Sequence, residues 1–264
     1  MLKGALHVHS TYSDGELSLS ELRGRFLREG CRFVCVTDHA EYFDAGKIRA
    51  YVEECHALSD DTLHFIAGLE YRCDRDMHIL GYGATALTKS TDPQSVIRHI
   101  HEHNAVSVIA HPKNELFSWI ESFETLPCGI EGWNSKYDGR YAPRPATFAL
   151  VHRLRERQPG LHAFYGQDLH WKKQFCRLFV TVNSETAQAG DILATLAKGD
   201  FNGQKNDLVL PSSGNLPKEL LMKFSRSQTM SRGFWGFLKK SKGALDQIGI
   251  RVPESLKTQL RRVF

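Results

Sequence analysis

The sequence lacks the long apolar runs and the paired cysteines that would indicate a membrane protein or a secreted protein. None of its apolar stretches approaches the roughly 20 residues needed to cross a bilayer. The first seven residues become polar too early for a secretory signal. Six cysteines are scattered without a Cys-x-x-Cys pair, so we expect reduced and mostly buried thiols. Together these absences predict a cytoplasmic protein.

Charge is distributed unevenly along the chain. The composition, 41% hydrophobic and 24% charged, is that of a globular protein and excludes a disordered or collagen-like chain. Residues 215–264 nevertheless contain eleven Lys or Arg against three acids, although the whole chain has a net charge of only +4. The alternation of predicted elements also stops near Pro211. We therefore predict one α/β domain over residues 1–210 and a basic extension, packed on it, over residues 211–264.

Short apolar runs alternate with helical stretches over the first 200 residues, which is typical of a parallel α/β sheet or barrel. The predicted strands cover residues 2–7, 32–37, 63–69, 77–82, 105–110, 129–133, 161–165 and 176–182. A capping box at Ser18 opens a helix that ends at Gly30, and Asp92 caps another that ends near Asn104. Further helices are predicted over residues 45–58, 145–158 and 186–198.

Nearly every predicted strand is followed at once by a histidine or an acidic residue. Residues two apart in a strand point to the same side, so His7 and His9 should converge on one point. In a parallel barrel the carboxyl ends of the strands open on one face, which gathers such residues into one cluster. Nine candidate metal ligands result: His7, His9, Asp14, His39, Glu70, His78, His111, Asp168 and His170.

This donor set is too large for one ion, which takes about four to six ligands. It suits two or three divalent ions that share a carboxylate. Imidazole and carboxylate ligands without thiolate favour zinc, manganese or iron over calcium. A second histidine cluster, His99, His101 and His103, lies on the helix that ends near Asn104 and away from any strand end. We expect it to form a solvated helix face.

The ordered motifs are similar to those of the PHP (polymerase and histidinol phosphatase) superfamily. They are His7-x-His9 with Asp14-Gly15, Thr37-Asp38-His39, Gly68-x-Glu70, His78, Ala110-His111-Pro112 and Asp168-x-His170. The resemblance covers about residues 4–205 and implies a distorted (β/α)7 barrel with a trinuclear metal site at the carboxyl ends of the strands. It implies one ion held by His7, His9, Glu70 and Asp168, a second by Glu70, His78 and His111, and a third by Asp14, His39 and His170.

Such a centre predicts a metal-dependent phosphoesterase. Three divalent ions against three carboxylates leave a surplus of about three positive charges, which suits a phosphate ester attacked by a metal-bridging hydroxide. The expected catalytic residues are Asp14, His39, Glu70, Asp168 and His170. Four cations near the ligands are candidates for binding substrate phosphate: Arg72, Lys113, Lys136 and Arg140. Three further residues are expected to orient the ligands or a bound water from behind: Asp38, Glu131 and Asn134.

The substrate is left open between a phosphomonoester and a small nucleotide-type phosphodiester. One alternative is a 5'-3' exonuclease that binds nucleic acid through the basic extension. Another is a metal-binding PHP module that interacts with other proteins without catalysis. The presence of all nine candidate ligands disfavours this last alternative.

Overall fold

The computed structural model of the protein describes residues 1–230. Its strands are β1 (Leu2–Val8), β2 (Phe33–His39), β3 (His64–Cys73), β4 (Met77–Tyr82), β5 (Val106–Ala110), β6 (Gly129–Asn134), β7 (His162–Gly166), β8 (Leu178–Val182), β9 (Phe201–Lys205) and β10 (Leu208–Pro211). Its helices are α1 (Leu19–Arg28), α2 (Ala45–Ala57), α3 (Pro93–Glu102), α4 (Phe117–Glu121), α5 (Pro145–Arg157) and α6 (Ala189–Lys198), and another runs over residues 218–230. All eight predicted strands are present, whereas α4, the helix over residues 218–230, β9 and β10 were not predicted.

Strands β1 to β7 form a nearly closed barrel, as the (β/α)7 prediction requires. They are neighbours in the order of the sequence. Residues that follow β7 return to β1, because Gln167 donates its backbone N–H to Leu6 (3.0 Å) and His9 donates to Leu169 (3.0 Å). Val8 and Leu169 form a parallel bridge at this point. An antiparallel ribbon of β8, β9 and β10 extends the sheet from the beginning of this same edge of β1, where β8 pairs with residues 2–4; β2 occupies the opposite edge.

The barrel is not all parallel, and this corrects the expectation from the sequence. Strand β4 pairs antiparallel with both β3 and β5. Only three residues, Asp74–Asp76, connect β3 to β4, and a parallel pair needs a crossover of about a dozen residues or more. Since β4 runs in the opposite direction, its beginning lies beside the end of β3. His78, the second residue of β4, therefore reaches the same end of the barrel as the other candidate ligands.

The signals that begin the helices act as the sequence predicts. The Ser18 hydroxyl accepts a hydrogen bond from the Glu21 backbone N–H (3.2 Å), and the Glu21 carboxylate accepts one from the Ser18 N–H (3.0 Å). Gly30 ends this segment with φ of 75°. At the start of α3 the Asp92 carboxylate accepts from the Ser95 N–H (2.8 Å).

Strand β2 is buried on both faces, which is typical of a barrel strand covered by helices. Phe33 and Cys35 belong to the apolar core inside the barrel and beneath α3 and α5, while Val34 and Val36 belong to a second core beneath α1 and α2. All six cysteines are free, and five of them are buried. The sheet is therefore packed from both sides.

The first part of the basic extension lies against the barrel. The Tyr165 hydroxyl donates to the Pro211 carbonyl (2.7 Å), and the Gln228 amide donates to the carbonyls of Asp138 (2.7 Å) and Ala142 (2.6 Å). The remainder of the extension, residues 231–264, is outside the described residues, so the domain boundary at residue 210 stays a prediction. Among residues 1–230, no helix combines the length and the hydropathy required to traverse a bilayer.

Candidate metal centre

Glu70 occupies the centre of the barrel mouth, and its two carboxylate oxygens face different histidines. Oε1 lies 2.8 Å from His78 Nδ1 and 3.3 Å from His111 Nε2. Oε2 lies 3.1 Å from the Nε2 atoms of both His7 and His9. The side chain is 1% exposed. This is the arrangement of a carboxylate that can bridge two cations.

The remaining acidic donors, Asp14 and Asp168, both face His170. Asp14 Oδ1 is 3.3 Å from His170 Nε2 and 3.8 Å from His39 Nε2. Asp168 Oδ1 is 3.1 Å from His170 Nδ1 and 3.9 Å from His7 Nε2. Asp168 thus connects the group around Glu70 with the group around Asp14.

The structure brings all nine sequence-predicted donors together in overlapping groups, within each of which the donor atoms lie no more than 4.8 Å apart. The groups are His7, His9 and Asp168; His7, Glu70 and His111; His39, Glu70 and His78; and His9, Asp14, His39 and His170. They differ in detail from the sets that the family resemblance implies. His78 and His111 fall into different groups, and His9 joins the group of Asp14.

Three candidate ligands adopt left-handed backbone conformations that are uncommon outside glycine. The φ angles are 58° at His7, 28° at His111 and 51° at Asp168. At His7 the β1–β2 register shifts between Ala5 and Val8. His7 and His9 therefore converge through a bulge and not through the simple alternation expected from the sequence. Conformations of this kind cost about 1–3 kcal/mol each and cluster at functional sites.

Glu131 and Asn134, both on β6, support the candidate ligands from behind. Glu131 Oε1 is 2.7 Å from His7 Nδ1, and Oε2 accepts a hydrogen bond from the His111 backbone N–H (2.8 Å). The Asn134 amide donates to Glu131 (2.8 Å) and to Asp168 (3.0 Å). Gly166 permits this packing, because a Cβ atom there would collide with Glu131 Oε1. Such partners fix the rotamer and the tautomer of a ligating imidazole.

Asp38 supports a loop by hydrogen bonds, whereas the sequence analysis expected it to orient a ligand or a bound water. Its carboxylate accepts hydrogen bonds from the backbone N–H of Ser10 (2.8 Å) and Ser13 (3.1 Å) and from both serine hydroxyls. These serines belong to the connection between β1 and α1, which carries Asp14. Asp38 therefore holds Asp14 in place from a distance.

The electrostatics of the cluster are dominated by burial and by the three carboxylates. Burial lowers the pKa of His9 to about 3, so this imidazole is neutral at physiological pH. Burial opposes the charge on His170 as well, but Asp14 and Asp168 raise its pKa to about 9. The neighbouring imidazoles outweigh burial at Glu70 and hold its carboxyl pKa well below the ordinary value. The centre therefore presents anionic carboxylates beside a neutral imidazole.

The donor set fits divalent cations. The Nδ1 atoms of His9 and His39 are buried without a hydrogen-bond partner in the described residues, and the Nε2 of His9 faces Glu70 Oε2 at 3.1 Å. Buried polar atoms of this kind are rare, because each costs about 1–3 kcal/mol when it is left unpaired. A cation would engage these lone pairs and would also compensate the charge of Glu70, Asp14 and Asp168.

Of the four cations proposed from the sequence to bind phosphate, Lys136 reaches the centre. Its Nζ donates to Asp168 Oδ1 (3.0 Å) and lies 3.3 Å from His170 Nδ1. Lys113 and Arg72 are exposed and face Asp76, at 2.8 Å and 3.5 Å respectively. Arg140 donates to the carbonyl of Lys173.

Sequence reasoning missed the aromatic residues that surround the mouth. The Tyr137 ring lies 4.3 Å from the His111 ring, and the Tyr42 ring lies 6.3 Å from that of His39, measured between centroids. Trp171 lies 5.9 Å from His170 in the same sense. The available signal was their position, since each follows a candidate ligand or a strand end within a few residues.

Comparisons with known proteins agree with this geometry. Residues 5–140 match the PHP domain family. Over 145 residues, the chain is 27% identical to the DNA polymerase/3'-5' exonuclease PolX of Bacillus subtilis, a match covering 47% of this chain and 25% of that protein. The chain thus spans about a quarter of the length of this relative.

A solved structure has a similar fold. It is a two-domain protein from Bacteroides vulgatus that contains a predicted PHP-like metal-dependent phosphoesterase, with a TM-score of 0.59 and 17% identity over 85% of this chain and 69% of that one. With the barrel, the clustered donors and the family match in agreement, the chain is a member of the PHP domain family.

Proposed function

We propose that the protein is a metal-dependent phosphoesterase that hydrolyses a phosphomonoester or a small nucleotide-type phosphodiester. The observation that carries this proposal is the position of Glu70, whose two oxygens each face two histidines at 2.8–3.3 Å. Carboxylates that bridge two ions are typical of centres that act on phosphate esters. Membership of the PHP family supports the same class of reaction.

Two or three divalent ions, of zinc, manganese or iron, would be held by the nine donors. When bound, such ions supply positive charge for the phosphate oxygens and lower the pKa of a coordinated water. The protein itself positions the donors. Glu131 and Asn134 hold His7 and Asp168 in orientation, and Asp38 holds the loop of Asp14. Asp14, His39, Glu70, Asp168 and His170 remain the proposed catalytic residues.

Lys136 is the proposed contact for a substrate phosphate oxygen. Burial works against its charge, but Asp168 raises the pKa of the amine above its ordinary value, so the side chain is cationic at neutral pH. A point charge at this position can bind a non-bridging oxygen of a phosphate. Lys113→Ala is the matched control for Lys136→Ala, since the Lys113 amine pairs with Asp76 on the exposed surface.

The test is a hydrolysis assay on the full-length protein, stripped with a chelator and reloaded with zinc, manganese or iron. A panel of phosphate esters is offered, and released phosphate is measured. We expect turnover by the reloaded wild type and its loss in Glu70→Gln, which keeps the shape of the side chain but cannot bridge two cations. Bound metal without turnover on any ester would instead favour the non-catalytic module.

Exonuclease action on nucleic acid is the second candidate, and the similarity to PolX favours it. The name of that relative specifies 3'-5' polarity, whereas the expectation from the sequence was 5'-3'. Strands labelled at one end or the other distinguish the two directions by the size of the first product. Contacts between the basic extension and phosphates would weaken cleavage steeply between about 50 and 200 mM salt. Cleavage that is insensitive to salt would argue against a role for the extension.

A further inference from the structure

A histidine, a serine and a cysteine meet at the end of the barrel opposite the mouth. Ser107 is the second residue of β5, Cys128 immediately precedes β6, and His101 is the penultimate residue of α3. Strands β5 and β6 run parallel, and the candidate ligand His111 follows the far end of β5. The three side chains therefore lie at the beginnings of these strands. None of them belongs to the groups of metal donors found in residues 1–230.

Ser107 contacts both of the other side chains. Its Oγ lies 2.7 Å from His101 Nε2 and 3.8 Å from Cys128 Sγ, and it accepts a hydrogen bond from the Cys128 backbone N–H (3.1 Å). His101 Nε2 is itself 3.7 Å from Cys128 Sγ. The imidazole is thus within reach of the thiol both directly and through one hydroxyl group.

The same geometry accommodates a thiolate. Once the Cys128 proton has moved to His101, the Nε2–H can donate to Ser107 Oγ, and the Ser107 hydroxyl can donate to the sulfur. Ser107 then donates one hydrogen bond and accepts two, which is the full capacity of a hydroxyl group. Burial lowers the pKa of His101 below its ordinary value, so the imidazole is neutral at physiological pH and is able to take the proton.

Cys128 differs from the other five cysteines in its access to solvent. Those five are buried, whereas Cys128 is partly exposed and the neighbouring His101 is exposed. Burial also raises the thiol pKa of Cys31, Cys35 and Cys55, which keeps these three protonated. Reactive cysteines combine an adjacent base with a path to solvent, and Cys128 has both.

We propose that Cys128 is a site of covalent modification by small disulfides, with His101 as its base and Ser107 as the bridge between them. The Cys128 sulfur attacks one sulfur of the reagent, so a new S–S bond forms and the S–S bond of the reagent breaks. The Cys128 proton passes to His101 and then to the departing thiolate. Cys128 is thereby oxidised to a mixed disulfide, and the other half of the reagent is reduced to a thiol. This site is independent of the proposed phosphoesterase function.

Treatment of the full-length protein with oxidised glutathione tests the site. The reaction is stopped with acid at successive times, and mass spectrometry of the digested protein locates the modified residue. We expect Cys128 to be modified at least about tenfold faster than any of the other five cysteines, because those are buried. Cys128→Ser should lack the fast reaction. Modification of another cysteine first would overturn the proposal.

Substitution of the base separates activation of the thiol from its mere exposure. His101→Gln cannot take up the proton, so we expect the rate of modification at Cys128 to fall at least about tenfold. Ser107→Ala removes the bridging hydroxyl and should lower the rate at least about threefold. The matched control is His103→Gln, since the His103 ring faces a backbone carbonyl and not a thiol. Equal rates for His101→Gln and His103→Gln would overturn the proposal.

A second reagent separates proton transfer from attraction of charge. Oxidised glutathione is anionic, whereas hydroxyethyl disulfide is uncharged, and a base should accelerate the reaction with both. We therefore expect His101→Gln to slow both reactions by a similar factor. Slowing with the anionic reagent alone would show that His101 only attracts it, and would overturn its role as a base. Ser107→Ala decides the question should His101→Gln fail to fold, and a wild-type rate in that variant would also overturn the proposal.

Discussion

Two regions of the molecule are rich in histidine, and they differ in what surrounds the rings. At the C-terminal end of α3, His99 Nε2 lies 3.0 Å from the Ala86 carbonyl, His101 Nε2 lies 2.7 Å from the Ser107 hydroxyl, and His103 Nδ1 lies 2.8 Å from the His99 carbonyl. Each ring has an ordinary neutral partner. At the mouth, by contrast, His9 is fully buried, its Nδ1 has no hydrogen-bond partner in the described residues, and its Nε2 faces the Glu70 carboxylate at 3.1 Å.

The difference shows that the density of histidine does not define a metal site. His99 and His103 are four residues apart on one helix, with centroids 4.6 Å from each other, and so have a spacing that could chelate an ion. No carboxylate is among the hydrogen-bond partners found for them. The histidines of the mouth instead surround Glu70, Asp14 and Asp168, which supply the charge that attracts a cation.

The largest expected effect separates the two regions directly. His9→Ala removes a donor shared by two groups of the centre, so we expect metal affinity to fall by more than about 100-fold and phosphoesterase activity to fall with it. His103→Ala, at the residue that follows α3, should leave metal content unchanged and stability within about 0.5 kcal/mol of wild type. Metal content and thermal unfolding are measured for both variants. Loss of metal from His103→Ala would reverse the assignment of the two regions.

Removal of the metal should have the next largest effect. A ligand at 100 times its Kd stabilises the folded protein by about 2.7 kcal/mol, which corresponds to roughly 5–10 °C in Tm for a protein near this size. We expect chelation to lower the Tm of the wild type by this amount and readdition of manganese to restore it. The Tm of His9→Ala should respond less. An unchanged wild-type Tm in differential scanning would argue against tight binding.

Asp38→Asn should have the smallest effect at the centre. The amide can accept hydrogen bonds from Ser10 and Ser13 with one oxygen only, so the loop of Asp14 should be held less firmly. We expect metal affinity to fall by about 10- to 100-fold, as for other residues that orient ligands. Asp92→Asn, at the N-terminus of α3, is a matched control because its carboxylate caps a helix outside the centre. Equal metal affinity of the Asp38→Asn and Asp92→Asn variants would contradict the positioning role.

The clustering of the candidate ligands could be predicted because it depends on strand ends, which short apolar runs mark clearly. The path of the backbone at those positions could not. The direction of β4 was missed because apolar periodicity is the same in both directions, although the three-residue link Asp74–Asp76 already excluded a parallel crossover. The bulge at His7 leaves no mark in the residue types, because it arises from the register between β1 and β2.

The roles of the cations were the least predictable part. Three of the cations stand two residues after a candidate ligand or a strand end: Lys113, Lys136 and Arg72. Within the described residues, Lys136 contacts the candidate ligand Asp168, whereas the other two face Asp76. The choice depends on Asp76, whose carboxylate attracts the other two. Long flexible side chains are placed by local competition between partners, which residue spacing does not encode.

The left-handed conformations of His7, His111 and Asp168 have a consequence for how the protein evolves and how it can be engineered. Glycine at any of these positions would relieve torsional strain, but it would also delete a donor and with it the stabilisation that bound metal supplies. A library screened for heat resistance in the presence of metal should therefore retain these three side chains, whereas a library screened in a chelator loses that constraint and can admit glycine.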